Sequence, residues 1–393
     1  MTIGQTIYSS LKGEKFIWLV MLILPIFSAL VVYSATGGLA HLSRGGNTEY
    51  YFIKHLSILA FGFMLVVIFY KMHYMTFAKI SSLLLLAAIV GLLLTLFFGV
   101  EINGARRWIR LPLIDITFQT SDFAKVALVI YLATQLSLNR ECLKEFGTAL
   151  LPVLLPVFLV CGLIAPADLS TAAMLFATCF IMMFIGQMNL RILGGMILIG
   201  AILCMVLLLF GAYFPEFVRS DTWASRLSAF FTGGGDTYQI DQAKIAIAEG
   251  GLIGLGPGNS IQRNFLPSPY SDFIYAIIVE EYGLIGGLMI LFAFMLLFIR
   301  SVSLVTNSPK AFGAIVAIGL SISLTMQALL NMAVSVDLLP VTGLTLPLIS
   351  MGGTSVLFAC IAIGIILSVG RHVLEKDSEN MLHKTEIAYE GAD

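Results

Sequence analysis

One acidic residue stands where a rigid turn meets the start of an apolar helix. Asp272 follows Pro267 and Pro269 in the stretch GPGNSIQRNFLPSPYSDFIYAIIVEEYG, and proline fixes the backbone dihedral φ and excludes the helix. Ser271 and Asp272 are both good N-cap residues, so the sequence predicts that the helix begins there. A carboxylate held beside a rigid turn is a candidate proton acceptor, the role of a general base.

A cluster of arginines is the second chemical feature. Arg106, Arg107 and Arg110 surround Trp108 in the segment NGARRWIRLP. Because arginine binds phosphate through two parallel hydrogen bonds and stays charged, the cluster is a candidate anion site. The alternative is a loop that packs on lipid headgroups, with Trp108 as its anchor at the interface.

Further charged residues lie within or beside apolar segments. Asp122 and Lys125 are three residues apart, which puts them on one face of a helix. Since a charge inside a bilayer is costly, they form either a structural ion pair or the border of a wet cavity. Asp168 in the segment PADLS either caps the next helix or faces the same cavity. Glu281 follows Asp272 on its helix, and it either serves the site or is only a helical residue.

Membrane helices must position these residues. Hydrophobic residues make up 59% of the 393 residues and charged residues only 11%, against roughly 25% charged residues in soluble proteins. The composition predicts an all-α polytopic membrane protein, because an outer-membrane barrel would show short alternating segments instead. The net charge of −1 gives no reason to expect nucleic acid as a partner.

Apolar runs of about 20 residues mark the membrane spans, and the sequence predicts ten of them. Most lysines and arginines of the short loops fall on the side of the N-terminus, so both termini are expected in the cytoplasm. One long extracytoplasmic loop, 214–272, then joins the seventh and eighth spans. The membrane domain is predicted over 1–372, followed by a mobile cytoplasmic tail, 373–393. The spans are 16–34, 51–70, 80–99, 123–138, 150–165, 171–186, 193–213, 273–299, 312–334 and 347–369.

The long loop carries the segments SRLSAF and GGGDTYQIDQ and an amphipathic piece, IDQAKIAIAEGG. The amphipathic piece is predicted to lie on the membrane surface. The segment GLGPG is similar to a nucleotide-binding loop, but no strand precedes it, so that interpretation is discarded.

The order of these motifs resembles that of the SEDS proteins, the shape, elongation, division and sporulation family that includes FtsW and RodA. The resemblance covers nearly all of the membrane region. It implies ten helices and a glycosyltransferase that polymerises lipid II, the lipid-linked peptidoglycan precursor, on the outer leaflet. The last two of the motifs listed below are highly specific. The residues of the first and the last motif favour the division branch, FtsW, over the elongation branch, RodA. The motifs are NGARRWI, FQTSDFAK, PADLSTA, DTYQIDQ, FLPSPYSDFIYAIIVEEYG and LLPVTGLTLPLISMGGTS.

The resemblance also carries residue roles. Asp272 matches the key aspartate of the family's outer loop, Arg226 matches the arginine before the RI-x-x-F pattern, and Gln239 lies in the segment similar to GYQ. Some positions depart from the family pattern. They are Thr120 for proline, Asp122 for glutamate, Ser170 for glycine, Ser268 for glutamate and Tyr270 for histidine.

In the implied reaction, the 4-hydroxyl of one GlcNAc attacks C1 of a MurNAc that carries undecaprenyl diphosphate. Asp272 is expected to accept the hydroxyl proton as general base, which contributes about 10²–10⁴-fold in rate. The departing diphosphate needs arginine, lysine or a divalent cation such as Mg²⁺ or Mn²⁺, and we assign no metal ligands. The residues expected to bind substrate are Arg106, Arg107, Asp122, Lys125, Asp168, Arg226, Gln239 and Glu281.

Other classes of protein stay open. A flippase for the lipid-linked precursor would also combine membrane helices with intramembrane charges, and a non-catalytic scaffold would only recruit a transpeptidase. Because a transporter places its decisive charges near the midplane, the polar segments in the predicted outer loops favour an enzyme. The resemblance implies a class B penicillin-binding protein, which is a transpeptidase, and other divisome membrane proteins as partners. The expected location is the cytoplasmic membrane of a bacterium, at the division septum.

Overall fold

The structure is a computed structural model that describes residues 15–37, 48–102, 105–111, 116–138, 150–213, 220–232, 237–307 and 310–390. Helices form most of it. In chain order they are α1 (Lys15–Ala35), α2 (Thr48–Lys71), α3 (Met75–Phe98), α4 (Thr120–Leu138), α5 (Leu155–Ile164), α6 (Leu169–Ile185), α7 (Leu190–Tyr213), α8 (Ser220–Thr232), α9 (Tyr238–Gly250), α10 (Ile274–Asn307), α11 (Ala311–Ser335) and α12 (Thr354–Glu390).

Among the described residues, eight helices are long and apolar enough to cross a membrane, namely α1–α4, α7 and α10–α12. The helices α5 and α6 are apolar but shorter, and a π-helical turn, Leu150–Leu154, precedes α5. Each predicted span overlaps one of these ten helices. The polytopic helical fold is therefore confirmed, and the chain is an integral membrane protein.

A small antiparallel sheet between α3 and α4 shows that the prediction of an all-α fold was wrong for this segment. Its strands lie in the order β1 (Val100–Ile102), β2 (Ala105–Leu111) and β3 (Ile116–Gln119). The dipeptide Asn-Gly at 103–104, outside the described residues, separates β1 from β2, and this dipeptide favours tight hairpins. Trp108 of β2 pairs with Gln119, the last residue of β3, which leads directly into α4.

The helices α8 and α9 lie within the long loop predicted between the seventh and eighth spans. The apolar face of α9 packs against α10 and α11, which buries Ile240, Ala243 and Ala246. Part of the apolar face that was predicted to lie on the membrane surface is thus covered by protein. Ile245, on the other side of the helix, is exposed.

The helix α10 is interrupted in its first third by a glycine with a positive φ. Gly283 has φ of 70° and ψ of −175°, and the loop after α9 lies against this break. The Gly256 N–H donates to the Glu281 carbonyl at 2.9 Å. A Cβ atom at Gly283 would lie 2.3 Å from the carbonyl oxygen of Leu252, and one at Gly254 would lie 2.3 Å from that of Glu281. Only glycine permits backbones to approach this closely.

The segment 338–353, between α11 and α12, contains neither helix nor strand. The tenth span was predicted to begin at residue 347, but α12 begins at Thr354. Positive φ angles at Gly343, Leu348 and Gly353 exclude the helix here. At its other end, α12 continues through Glu390, so the tail predicted to be mobile is helical up to that residue.

A buried polar chain fastens this segment to the first two helices. Ser28 Oγ donates to the carbonyl of Ile349 at 2.7 Å and lies 2.7 Å from His55 Nε2. Because a serine hydroxyl carries one hydrogen, the His55 ring nitrogen must be the donor in the second bond. The chain thus ties α1 and α2 to segment 338–353.

Candidate active site

A polar cavity of about 200 Å³ lies where β2, α8, the turn before α10 and segment 338–353 meet. Of the predicted substrate residues, Gln239 on α9 and Glu281 on α10 are not among those that line it, and the side chain of Arg106 lies outside the described part of the structure. Six of the predicted residues do line it: Arg107, Asp122, Lys125, Asp168, Arg226 and Asp272.

Asp272 lies in a tight turn, and α10 begins two residues later, at Ile274, rather than at Ser271 or Asp272 as predicted. The first helical bond of this end runs from the Ala276 N–H to the Phe273 carbonyl at 3.0 Å. The carboxyl group of Asp272 is therefore carried by the turn itself and is half-buried in the cavity wall.

The surroundings of this carboxyl group favour its protonated form. Burial raises the pKa of Asp272 above its ordinary value, and the negative charge of Asp168 acts in the same direction. The hydrogen bond from Ser271 Oγ, 2.8 Å from Oδ1, and the positive charges of Arg107 and Arg226 oppose that rise in pKa. A carboxyl group with a raised pKa beside cations suits proton transfer near neutral pH.

Arg107 and Asp168 form an ion pair at the cavity wall, with 2.8 Å between Nη1 and Oδ2. Arg107 Nε also donates to the carbonyl of Ala167 at 3.0 Å. Asp168 accepts from the Thr171 N–H at 3.1 Å and from Thr171 Oγ1 at 2.7 Å, so it caps α6. Both interpretations offered for Asp168, a helix cap and a cavity residue, therefore hold.

Asp122 and Lys125 form the buried ion pair that their spacing predicts, with 2.9 Å between Oδ1 and Nζ. Lys125 Nζ also donates to Gln327 Oε1 at 3.0 Å. The second oxygen of Asp122, Oδ2, is buried and has no hydrogen-bond partner among the described residues. The pair is thus a structural contact that also lines the cavity.

Glu280 and Glu281 serve the loop after α9. The carboxylate of Glu280 accepts from Ser260 Oγ, from the Ile261 N–H at 2.7 Å and from the next N–H along the chain. Glu281 accepts from Ser34 Oγ of α1. These contacts hold Glu281 away from the cavity, because its side chain is used to join α10 to α1.

Sequence reasoning missed the amide side chains of α11. Gln327 lines the cavity and connects Lys125 to segment 338–353, since its Nε2 donates to the carbonyl of Thr345 at 2.9 Å. Asn331, one turn later, is also buried. Two amides at i and i+4 within a predicted membrane span were the available signal, because polar groups there require partners. Within the described ranges, no group of three or more His, Cys, Asp or Glu side chains could hold a metal ion.

Comparison with known proteins covers nearly the whole chain. The model of the FtsW/RodA/SpoVE family, described as cell cycle protein, matches residues 14–375. The chain is 32% identical to the probable peptidoglycan glycosyltransferase FtsW of Coxiella burnetii, over 90% of this chain and 95% of that protein. It is 33% identical to the stage V sporulation protein E of Bacillus subtilis, over 90% of this chain and 96% of that protein.

Solved structures share the fold. A chain of a peptidoglycan synthase complex that coordinates polymerization and crosslinking superposes with a TM-score of 0.70 at 24% identity, covering 92% of this chain and 98% of that chain. The rod shape determining protein RodA of Thermus thermophilus superposes with a TM-score of 0.66 at 23% identity, covering 91% and 97%. Together, the family match and the two relatives show that the chain belongs to the FtsW/RodA/SpoVE family of cell cycle proteins, the SEDS family that its motifs resemble.

Proposed function

We propose that the protein is a peptidoglycan glycosyltransferase that polymerises lipid II at the outer face of the cytoplasmic membrane. The observation that carries the proposal is the cavity, in which the carboxyl group of Asp272 lies among Arg107, Arg226 and Lys125. This set offers a proton acceptor together with cations for a diphosphate. The name of the Coxiella burnetii relative, a probable peptidoglycan glycosyltransferase, supports the same activity.

Asp272 acts as the general base. It accepts the proton of the acceptor's GlcNAc 4-hydroxyl while the oxygen attacks C1 of the donor's MurNAc. The bond between C1 and the diphosphate oxygen breaks, and undecaprenyl diphosphate leaves with the electron pair. A single displacement of this kind inverts the configuration at C1 and needs no covalent intermediate.

Arg107 and Arg226 stabilise the negative charge of the leaving diphosphate. A guanidinium group has five N–H donors, and the contacts with Asp168 and Ala167 use only part of them in Arg107. These two contacts hold the guanidinium in place, which lowers the entropy cost of binding a second anion. Lys125, paired with Asp122, lies on another side of the same cavity.

The ten apolar helices all cross the membrane in this proposal, with both termini in the cytoplasm and the loop 214–272 outside. We place the protein at the division septum, since the sequence favours the division branch of the family. A class B penicillin-binding protein is the proposed partner. The related synthase complex, which coordinates polymerization and crosslinking, supports a partnership between a polymerase and a transpeptidase.

Polymerisation of purified lipid II in detergent tests the proposal, with the penicillin-binding protein present or absent. The parental protein should form glycan strands, and Asp272→Ala should insert, fold and bind the partner yet form none. Near-normal polymer from Asp272→Ala, in a preparation free of other synthases, would refute the general-base role. Transport of labelled lipid II across vesicle membranes without polymerisation would instead support a flippase.

A further inference from the structure

The turn that carries Asp272 is held by hydrogen bonds to three consecutive carbonyls. Tyr270, Ser271 and Asp272 precede the first helical bond of α10, so their carbonyl groups need partners outside that helix. All three partners belong to one distant part of the chain, residues 331–351. In the same order, the donors are the Met351 N–H at 2.9 Å, Ser350 Oγ at 2.7 Å and Asn331 Nδ2 at 2.7 Å.

The two side chains among these donors each make a second bond, to segment 338–353. Asn331 Nδ2 also donates to the carbonyl of Leu344 at 2.7 Å, and Leu344 lines the cavity. Ser350 Oγ also accepts from the Leu346 N–H at 2.7 Å. Each side chain thus bridges the turn of Asp272 and segment 338–353, and Asn331 does so at Leu344, which lines the cavity.

Both side chains are almost completely buried, with 1% of their surface exposed. Burying an amide or a hydroxyl is costly unless it is hydrogen-bonded, so the Asn331 Nδ2 group and the Ser350 hydroxyl favour the arrangement that gives them these partners, while Asn331 Oδ1 has none among the described residues. Neither residue lines the cavity. Any effect that they have on the reaction must therefore act through the position of other groups.

We propose that Asn331 and Ser350 are positioning residues, which fix the backbone of Asp272 against Leu344 and so aim its carboxylate into the cavity. The inference rests on the proposed function, because it presumes that Asp272 is the base. Misplacing a reacting group by about 1 Å can cost on the order of 10²-fold in rate. Stretching either bridge by that amount would break it, because its bonds of 2.7 Å would then exceed hydrogen-bonding distance.

Two alanine variants of the full-length protein, Asn331→Ala and Ser350→Ala, test the inference in the lipid II polymerisation assay. We expect kcat to fall about 10- to 100-fold with little change in KM, because the substrate contacts remain. Ser321→Ala is the matched control, since Ser321 is a buried hydroxyl of α11 that donates only within its own helix, to the Ile318 carbonyl. Ser350→Thr keeps the hydroxyl and should restore most of the rate.

The pH profile separates positioning from simple destabilisation. A loosened turn exposes the carboxyl group of Asp272 to water, so the burial that raises its pKa weakens. The acid limb of kcat should then move to lower pH in both variants, while Arg107, Arg226 and Asp168, the charges that act on this carboxyl group, are unchanged. If part of the protein were simply unfolded, kcat would fall by the same factor at every pH, and the acid limb would stay at the parental pH.

A double-mutant comparison closes the test. In an Asp272→Asn background, Ser350→Ala should cause no further loss of the residual rate, because residues that act as a unit are not additive. If Asp272→Asn is inactive while both alanine variants polymerise at the parental rate, the positioning role is overturned. The role is overturned equally if the rates fall but the acid limb stays fixed. If Asp272→Asn itself polymerises normally, the proposed function fails, and the inference fails with it.

Discussion

Arg107 and Asp168, 2.8 Å apart, bind backbone groups on either side of the start of α6. Arg107 binds the carbonyl of Ala167, and Asp168 binds the N–H of Thr171. The pair therefore does two things at once: it locks β2 onto the start of α6, and it fixes a guanidinium group at the cavity wall. Substitutions at this pair should separate the geometry of the cation from its charge.

Arg107→Lys keeps the positive charge but loses the planar guanidinium group and the hydrogen bond from Nε to the Ala167 carbonyl. A charge-assisted hydrogen bond contributes about 1.5–3 kcal/mol, or roughly 10- to 100-fold in affinity. We expect KM for lipid II to rise by that factor and inhibition by free undecaprenyl diphosphate to weaken. Arg110→Lys is the control, since Arg110 is exposed and lies on the same strand. Parental rates and unchanged product inhibition in Arg107→Lys and Arg107→Ala would contradict the diphosphate role.

The pH dependence of kcat should report the charges around Asp272. A base acts in its ionised form, so the rate falls as pH drops through its pKa, and the raised pKa of Asp272 places this fall above the ordinary value of about 3.9. Arg226→Gln removes a charge that favours the carboxylate and should move the acid limb to higher pH. Asp168→Asn removes an opposing charge and should move it to lower pH. Arg191→Gln, at an exposed site on α7, should leave the limb in place. If the acid limb of kcat stays at the parental pH in both Arg226→Gln and Asp168→Asn, Asp272 is not the titrating group.

Lys125→Met should destabilise the protein more than the double variant Asp122→Asn with Lys125→Met. Removing one partner of a buried ion pair leaves a buried charge uncompensated and costs about 3–5 kcal/mol. Removing both charges avoids most of that cost. Thermal unfolding in detergent measures the coupling, and the exposed pair of Lys244 with Asp241 is a control for which little coupling is expected, because water screens it. Strictly additive losses in the double-mutant cycle would show that Asp122 and Lys125 do not interact.

Gly343→Ala should impair catalysis beyond its effect on stability. Gly343 has φ of +72°, and an added Cβ would lie 3.7 Å from Asp272 Oδ2, where it would displace water from the carboxylate. Gly353→Ala is a matched control, because Gly353 also has a positive φ, +54°, but an added Cβ there would meet nothing within 4 Å. Both variants carry a strain of roughly 1–2 kcal/mol. Equal losses of kcat in the two variants would contradict a specific effect on Asp272.

Glu280→Gln should loosen the loop after α9. The glutamate accepts hydrogen bonds from Ser260 Oγ through one oxygen and from two backbone N–H groups through the other. An amide keeps only one acceptor oxygen and no charge, so its NH₂ group cannot accept from Ser260 Oγ. The loss should be about 1–3 kcal/mol, visible as faster hydrogen exchange at Ile261 and its neighbours. Glu249→Gln, at an exposed position of α9, is the control. If the rate of hydrogen exchange were unchanged in Glu280→Gln, the backbone contacts with α10 would be sufficient to hold the loop.

Much of the fold was predictable because bilayer thickness dictates the length of apolar runs. The charged residues of the cavity were predictable for the same reason, since Asp122, Lys125 and Asp168 stand out against apolar surroundings. The small sheet carried a local signal, the Asn-Gly dipeptide between two short runs, but a search for long apolar segments does not weigh it. Local patterns were sufficient wherever the membrane or a hairpin turn determines the structure.

Long-range contacts explain what the sequence did not reveal. The run LPLIS is as apolar as a helix, but Ser350 donates to the turn of Asp272 and the carbonyl of Ile349 accepts from Ser28, so the run is held in an irregular conformation. Glu281 follows the candidate base on one helix, but its bond to Ser34, which lies 247 residues away, holds it apart from the cavity. Contacts between residues so far apart produce no periodic pattern of apolar and polar residues, so the sequence does not reveal them.

The bond between Ser28 and the Ile349 carbonyl can form only late in the synthesis of the chain. The two residues are 321 positions apart, and ribosomes add about 5–20 residues per second, so the hydroxyl of Ser28 waits roughly 16–64 s for its partner. During that interval Ser28 can accept from His55 of α2, but its own hydroxyl lacks its final acceptor. This bond can therefore form only after residue 349, just before the last helix, has been synthesised, and a chain truncated before that residue would leave the buried hydroxyl of Ser28 without this acceptor.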